Sequence, residues 1–509
     1  MTRTGTAARR LHGEGTRVRC TAALRSLVAL ATLLWVQPLL RKSAVELAAL
    51  VRRREVSARE VVDAHIARIE QVNARLNAVV AERFADARRE ADAADARLRA
   101  GGDVPPLLGV PCTVKEAIAC AGMPHTSGLV ARRGVRAAAD APAVRWLREA
   151  GAIVVGVTNV SELCMWMESN NRVYGRTCNP YDPSRTCGGS SGGEGAIVGA
   201  GGVPFGLGAD IGGSIRIPAF FNGVFGHKPT GGRVPVTGHY PMADPRARRF
   251  LTLGPLARRA EDIPLLMHLL ARRHASYPEG LAAPLGDVDR VDVSRLVVYD
   301  SAVGATADLL AAKQRAVAAL AALGCEVRAL DDPAFHRGFE VWSALLGEAT
   351  DVAFAEHLGG GGPAVRPARE LLRWAVGRSP HTLPAIGLAL IEPLPRLARR
   401  RASRAAALGR ALRARLDRLL GDRGVLVFPS FPRPAPRHNE PLLHVVDAGY
   451  TGLFNVLELP STQVPCGLDR HGVPLGVQVV GGHGRDHVTI AVAMALERAL
   501  GGWVPPLDR

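Results

Sequence analysis

Apolar residues recur at helical spacing through residues 44–100, with Val61, Ile66 and Ile69 on one face of a 3.6-residue repeat. Ser57-Ala-Arg-Glu60 precedes that run as a capping-box pattern and predicts a helix start there. Two short β-branched runs, LGVPCTV (108–114) and AIVVGVT (152–158), read as buried strands. The first ends at Lys115, and the second follows a helix-like 141–150. Residues 169–195 are rich in Asn, Pro, Gly and Ser and predict a long irregular loop, which inside a compact domain usually marks function. Residues 196–204 are small and apolar, as in a buried helix, and FGLGADIGGS then reads as strand and turn. From about 255 to 425 the pattern is helical, Ala, Leu and Arg in alternation, with a strand signal only at Leu296–Tyr299. GVLVFPS (424–430), STQVPCGL (461–468) and PLGVQVVG (474–481) predict strands, and 486–500 a helix. Helix and strand alternate without repeats. The expected architecture is α/β: a central mixed β-sheet covered by helices on both faces, with a helical cap inserted from the middle of the chain.

Composition adds little until lysine is separated from arginine. The chain has 509 residues, is 47% hydrophobic and 22% charged, and carries a net charge of +17. Only four of its 64 basic residues are lysines: Lys42, Lys115, Lys228 and Lys313. Arginine is spread throughout without an aromatic-interleaved basic patch, which argues against a nucleic-acid surface. A lysine kept in so arginine-rich a chain invites the question of a base, since buried lysine can lose its proton and arginine cannot. Eight cysteines, none spaced C-x-x-C, suggest free thiols in a reducing compartment and no zinc site.

Residues 1–43 form a basic segment ahead of a single domain spanning 44–509. Within it, 26–40, SLVALATLLWVQPLL, is uncharged, shorter than the roughly 20 residues that span a bilayer, and contains Pro38. It suits a short signal-anchor, an interfacial helix or an element packed on the body; membrane attachment is the expectation. A second apolar run, LPAIGLALI (383–391), precedes Arg396, Arg399, Arg400, Arg401 and Arg404. It suits a helix on an anionic lipid surface or a core helix followed by a solvated one.

The chemistry concentrates in Gly188–Gly195, GGSSGGEG, and Asp210–Arg216, DIGGSIR. A phosphate cradle is excluded by the absence of G-x-x-x-x-G-K-[ST]. Gly189 to Gly193 matches G-x-S-x-G around Ser191, but that elbow needs a strand running into it, and Pro180 and Pro183 precede it. The remaining reading is a serine nucleophile served by a second serine and a lysine. Successive glycines leave N–H groups unshielded, so Ile211, Gly212, Gly213 and Ser214 can aim donors at an oxyanion. Lys115, at the end of a buried strand, can be neutral enough to accept a proton.

GGSSGGEG followed by GLGADIGGSIRIPAFFNGVFGHKPT resembles the amidase signature family. GVPCTVKEAIACAGMPHTSGL, VTNVSELCMWMESNNRVYGRTCNPYD, VFPSFPRPAPRHN and LERALGGWVPP are most similar to its fatty-acid amide hydrolases of the second type. The resemblance implies Ser214 as nucleophile, Ser190 as relay after a cis bond from Gly189, and Lys115 as base. It implies an oxyanion hole on the N–H groups of Ile211, Gly212, Gly213 and Ser214. Ser191, Asp210 and Arg216 would brace the loops. It places a signature core at about 107–260, a helical cap at about 300–425 and closing strands and helix at 424–509. Cys164, Met165, Trp166 and Met167, pliable and apolar, suggest an acyl channel or ordinary core packing. The implied reaction is amide hydrolysis of a lipid amide through an acyl-enzyme, with no metal or cofactor. The implied setting is membrane-associated, at an organelle membrane such as endoplasmic reticulum or lipid droplet or facing a reducing compartment. A membrane surface is the expected partner, nucleic acid is not, and a homodimer is the oligomer the resemblance allows. Two alternatives stay open: an amidase of small amides, including the glutamine-hydrolysing subunit of a tRNA-dependent amidotransferase, and a non-catalytic basic scaffold.

Overall fold

Two serines start the fold. Ser43 caps α1 (Ala44–Arg52) and Ser57 caps α2 (Ala58–Leu76), each accepting the N–H of the glutamate three residues on while that glutamate takes the serine N–H at 2.8 Å. The computed structural model describes residues 38–274, 280–281, 283–392 and 399–506. The apolar stretch 26–40 lies outside them except for Pro38, Leu39 and Leu40, and Arg396 lies outside them too. Leu39 and Leu40 are buried, and the guanidinium of buried Arg258 takes up the carbonyls of Leu40 and Lys42. Among the described residues no helix is long and apolar enough to cross a membrane.

The centre is one mixed sheet, eleven-stranded among the described residues. In chain order its strands are β1 (Val79–Glu82), β2 (Pro111–Lys115), β3 (Ile153–Thr158), β4 (Phe205–Asp210), β5 (Phe225–Lys228), β6 (Thr252–Ala257), β7 (Val297–Ser301), β8 (Glu326–Leu330), β9 (Gly424–Pro429), β10 (Ser461–Leu468) and β11 (Pro474–Gly481). They lie in the order β1-β3-β2-β4-β6-β5-β10-β11-β9-β7-β8. β2 runs parallel to both β3 and β4, and every residue of these three strands is buried. Strands covered on both faces read as apolar runs, which made β2 and β3 legible, while β4 (FGLGAD) was legible as the strand leading into the glycine-rich turn.

Four strands escape the sequence pattern. β1 (VVAE) lies inside the stretch 44–100 expected to be all helix, a four-residue strand too short to break the helical periodicity around it. β5 (FGHK) and β6 (TLGPLA) are broken by glycine, proline or charge, and β8 (EVRAL) is a largely exposed edge strand. β7 and β8 belong to the sheet, so the helical cap does not begin at about 300. It begins after β8, with α3 (Gly338–Ala349), α4 (Phe354–Leu358), α5 (Pro367–Ala375) and α6 (Leu383–Ile391). On α6, Ala385 and Ala389 pack with Leu129, Leu163 and Phe354, while Leu390 and Ile391 are exposed. Apolar residues on both sides explain why the sequence could not assign that helix to core or surface.

Candidate active site

Lys115 ends β2 with no exposed surface. Its Nζ donates to Ser190 Oγ at 2.7 Å and lies 3.4 Å from the Ala209 carbonyl at the end of β4. Burial drives its pKa below the usual lysine value; Cys164, Asp210 and Glu194 oppose the shift without reversing it. A neutral amine is therefore within reach on this side chain.

Ser190 sits in the loop ahead of α7 (Gly192–Gly199), after a cis Gly189–Ser190 bond. Glycine is required at 189: a Cβ there would lie 2.4 Å from the Trp166 carbonyl oxygen and 2.8 Å from Glu168 N. Ser169 fastens the loop, its hydroxyl donating to Ser190 O at 3.2 Å and accepting the Gly192 N–H at 2.9 Å. Ser191 is fully buried and exchanges hydrogen bonds with the Ala209 backbone at 3.2 and 3.3 Å. It faces β4, not a cavity, as a bracing residue would.

β4 ends at Asp210, and Ile211-Gly-Gly-Ser214 turns the chain into the short helix α8 (Arg216–Phe221). Asp210 and Arg216 are both fully buried and paired, Nε to Oδ2 at 3.1 Å and Nη2 to Oδ1 at 3.1 Å. Burial alone would raise the Asp210 pKa, but the adjoining guanidinium holds it well below the ordinary carboxylate value.

The turn is aimed by its carbonyls, because a trans peptide points N–H opposite to C=O. Asn455 Nδ2 holds the Asp210 carbonyl at 3.1 Å, Trp342 Nε1 the Ile211 carbonyl at 3.0 Å, and Thr451 Oγ1 the Gly212 carbonyl at 2.8 Å. The Ile217 N–H takes the Gly213 carbonyl at 2.7 Å. These four anchors direct the N–H groups of Ile211, Gly212, Gly213 and Ser214 the other way. Gly213 then departs from expectation: its N–H is donated to Asp210 Oδ1 at 2.7 Å. That leaves Ile211, Gly212 and Ser214, not four residues, with N–H groups to offer an oxyanion. Gly213 also has φ +122, and a Cβ there would meet Thr451 Oγ1 at 2.1 Å.

Lys115, Ser190 and Ser214 all line one cavity of about 550 Å³, within the range of small-molecule sites. Its walls are largely apolar, with Met165, Phe339, Trp342, Leu346 and Leu388 among them, and Glu392 and Arg399 also line it. Of the four residues expected in a channel, Cys164 and Met165 line it. Trp166 and Met167 do not: Met167 is packed in the main core, and the Trp166 backbone lies against Gly189. Leu163 and Cys164 adopt left-handed conformations, φ 52 and 60. The neighbouring Glu162 ties this bend to the cap, taking His381 Nδ1 at 2.7 Å and both N–H and hydroxyl of Thr382 at 2.8 Å. His239 also lines the cavity; burial, helped by Lys115, lowers its pKa to about 3 and keeps it neutral.

Trp342, Thr451, Asn455 and Gln478 (bound to Arg216 Nη1 at 2.9 Å) were not foreseen. They reach the site from α3, β11 and the helix α9 (Gly449–Val456), and nothing local to them marks their role.

The chain is similar to known proteins along nearly its whole length. The Amidase family matches residues 60–490. Fatty-acid amide hydrolase 2-A of Danio rerio is 44% identical over 496 residues, covering 92% of this chain and 90% of that protein. Human fatty-acid amide hydrolase 2 is 42% identical, covering 92% and 91%. Among solved structures, 6-aminohexanoate cyclic dimer hydrolase in complex with its substrate superimposes with a TM-score of 0.75 at 26% identity, covering 92% of this chain and 99% of that one. A glycine-rich double-serine loop beside a buried lysine, inside a fold and a sequence shared along nearly the whole chain, makes this protein a member of the amidase signature family.

Proposed function

We propose that the protein hydrolyses long-chain fatty-acid amides, primary amides and N-acylethanolamines, to free acid and amine. The observation that carries this is the fully buried Lys115–Ser190 contact of 2.7 Å at an apolar cavity that Ser214 also lines. Neutral Lys115 takes a proton from Ser190, which takes one from Ser214. Ser214 Oγ bonds to the amide carbonyl carbon, and the oxyanion meets the N–H groups of Ile211, Gly212 and Ser214. The C–N bond breaks as the proton returns through Ser190 to the departing amine. Water then attacks the acyl-enzyme, its proton goes back to Ser214, and the acid leaves. These residues supply nucleophile, proton relay and oxyanion donors from within the chain.

The apolar walls favour a hydrocarbon acyl chain over glutamine, whose polar end would find few partners there. Membrane association is part of the same reading: exposed Leu390 and Ile391 end α6 beside the cavity, and Arg399 follows on the helix α10 (Arg399–Leu420). The test is release of free acid from a long-chain primary amide, with glutamine and a short-chain amide in parallel. Wild type should turn over the long-chain amide, Ser214→Ala almost none, and Ser191→Ala within about tenfold of wild type. Turnover of short amides or glutamine alone would refute the substrate class, and an essential Ser191 with a dispensable Ser214 would refute the residue assignment. Pelleting with vesicles that survives high salt would support insertion over charge-driven binding.

A further inference from the structure

The catalytic cavity lies where the body of the protein meets the cap, and one buried carboxylate beside it joins the two. Leu163, Cys164 and Met165 line the cavity from the body, and Leu388 and Ile391 line it from α6. Leu163 and Cys164 are successive non-glycine residues with φ 52 and 60, a conformation in which Cβ crowds the backbone. Such a bend persists only where its surroundings hold it. The Leu163 N–H donates to the Ser127 carbonyl at 2.8 Å, and the Cys164 N–H to the Ser161 carbonyl at 2.9 Å. The Leu163 side chain is fully buried in a cluster with Leu129, Phe354, Ala385 and Ala389, the last three from the cap.

Glu162, one residue earlier, supplies the polar half of the same joint. Its side chain is 1% exposed and accepts three hydrogen bonds from the cap. His381 Nδ1 donates to Oε1 at 2.7 Å, and the N–H and hydroxyl of Thr382 both donate to Oε2 at 2.8 Å. Thr382 is the N-cap of α6, its hydroxyl also accepting the Ala385 N–H at 3.4 Å. The His381 N–H is tied in turn to Ser379 Oγ at 3.2 Å, and Ser379 donates to Glu370 of α5 at 2.7 Å. The start of α6 therefore cannot move against the bend without stranding a buried carboxylate, the costly kind of loss.

We propose that Glu162 is a positioning residue that sets the width of the cavity and thereby decides which acyl shapes it accepts. Glu162 does not line the cavity. It acts through Leu163 and Cys164 on one wall and through Leu388 and Ile391, carried by α6, on the other. The inference rests on the reading of this cavity as an acyl site and adds what fixes its shape. With the joint intact the two walls keep one separation, and a straight hydrocarbon chain fills the space between them. Without it the bend relaxes toward an ordinary backbone conformation, α6 shifts, and the walls no longer distinguish a straight chain from a branched one.

The test compares full chains on two primary amides of equal carbon number, one with a straight acyl chain and one with a branched chain. Active sites are counted with an alkyl fluorophosphonate, which bonds its phosphorus to Ser214 Oγ and expels fluoride, so unfolded protein is left out of kcat. Glu162→Ala should cut the preference for the straight chain, as a ratio of kcat/KM, by about tenfold or more, the scale on which a pocket tells hydrocarbon shapes apart. The loss should lie in KM, with kcat per active site within about threefold of wild type. Glu162→Gln, whose remaining oxygen still serves both Thr382 donors, should keep most of the preference. Thr382→Val removes one of the three bonds at nearly constant shape and should lower the preference about twofold or more, which carries the test if Glu162→Ala does not fold. In a Cys164→Gly background the left-handed conformation needs less holding, so adding Glu162→Ala should cost less than about half, on a logarithmic scale, of what it costs alone. A full-size loss in that background would overturn the proposal. So would equal losses on straight and branched chains, or a fall in kcat with the preference intact. Rates of Ser214 labelling by straight and branched alkyl fluorophosphonates read the same preference without an amide. A wild type that spares long-chain amides would thus refute the proposed substrate and leave this test standing.

Discussion

Asp210→Asn should destabilise the protein by about 3–5 kcal/mol, the cost of stranding a buried charge. The Asp210 carboxylate accepts the N–H of Gly213 (2.7 Å) and Ile215 (3.1 Å), two guanidinium contacts from Arg216 (3.1 Å each) and Asn455 Nδ2 (2.9 Å). Both oxygens face donors only, so an amide NH2 has no orientation without a clash. Arg216 would keep its contacts to Gln478 and Asn455, but both are neutral and neither replaces the lost charge. The loss corresponds to a factor of about a hundred to several thousand in the folding equilibrium, at about 1.4 kcal/mol per tenfold. Urea unfolding followed by tryptophan fluorescence would measure it. Asp210→Asn combined with Arg216→Met should recover more than half of the loss, since no unpaired charge remains. The pH dependence has a definite sign. The folded carboxyl ionises below its unfolded value of about 3.9, so its stabilisation is complete above that pH and disappears as acid drives pH toward the folded value. The gap between wild type and mutant should therefore be flat from about pH 5 to 8. A loss below about 1 kcal/mol at pH 7, or a double mutant less stable than the single, would refute this account.

Four further outcomes can be checked on the same protein. Because burial lowers the Lys115 pKa, kcat/KM should rise with pH to a plateau as Lys115 loses its proton; Lys115→Arg, which stays charged, should cost at least about a hundredfold at every pH in the profile. Gly189→Ala places a Cβ 2.4 Å from a backbone oxygen and should cut turnover by more than about a hundredfold, with a lower thermal midpoint. Trp342→Phe keeps an apolar wall but releases the Ile211 carbonyl, so kcat should fall by roughly two- to tenfold with KM little changed, in a steady-state comparison. Leu346→Trp fills cavity volume and should raise KM for long acyl amides several-fold more than for short ones; equal effects on both would place Leu346 off the acyl path.

Legibility in the sequence followed burial and locality. β2 and β3 are buried on both faces and uninterrupted, so their apolar runs announced them, β4 was marked by the glycine-rich turn after it, and the serine capping α2 lies three residues from its glutamate partner; β5 and β6, equally buried, were hidden by glycine, proline or charge. Lys115, Ser190 and Ser214 stood out because motif and neighbouring elements agreed. β8 did not, because an exposed edge strand keeps charged side chains and loses its alternation. The anchors of the nucleophile turn could not be read at all. Trp342 lies 131 residues from the carbonyl it holds and Asn455 lies 245 from its own, and only folding makes them neighbours. The assignment of Gly213 to the oxyanion hole failed for a local reason: Asp210, three residues away, takes its N–H first.

The cavity is built from two sources that scarcely overlap. Its reactive end belongs to β2, β4 and the two glycine-rich turns, which the sheet holds in register. Its far walls come largely from α3, α4, α6 and the start of α10, inserted between β8 and β9, with residues 239–251 beside them; Glu162 to His381 and Trp342 to Ile211 tie the insert to the reactive end. Chemistry and choice of substrate are thereby heritable apart. A lineage can lengthen, narrow or reline the inserted helices, and so change diet, while the bond-breaking apparatus stays untouched, provided each new insert still offers a donor to the Ile211 carbonyl and a partner to Glu162.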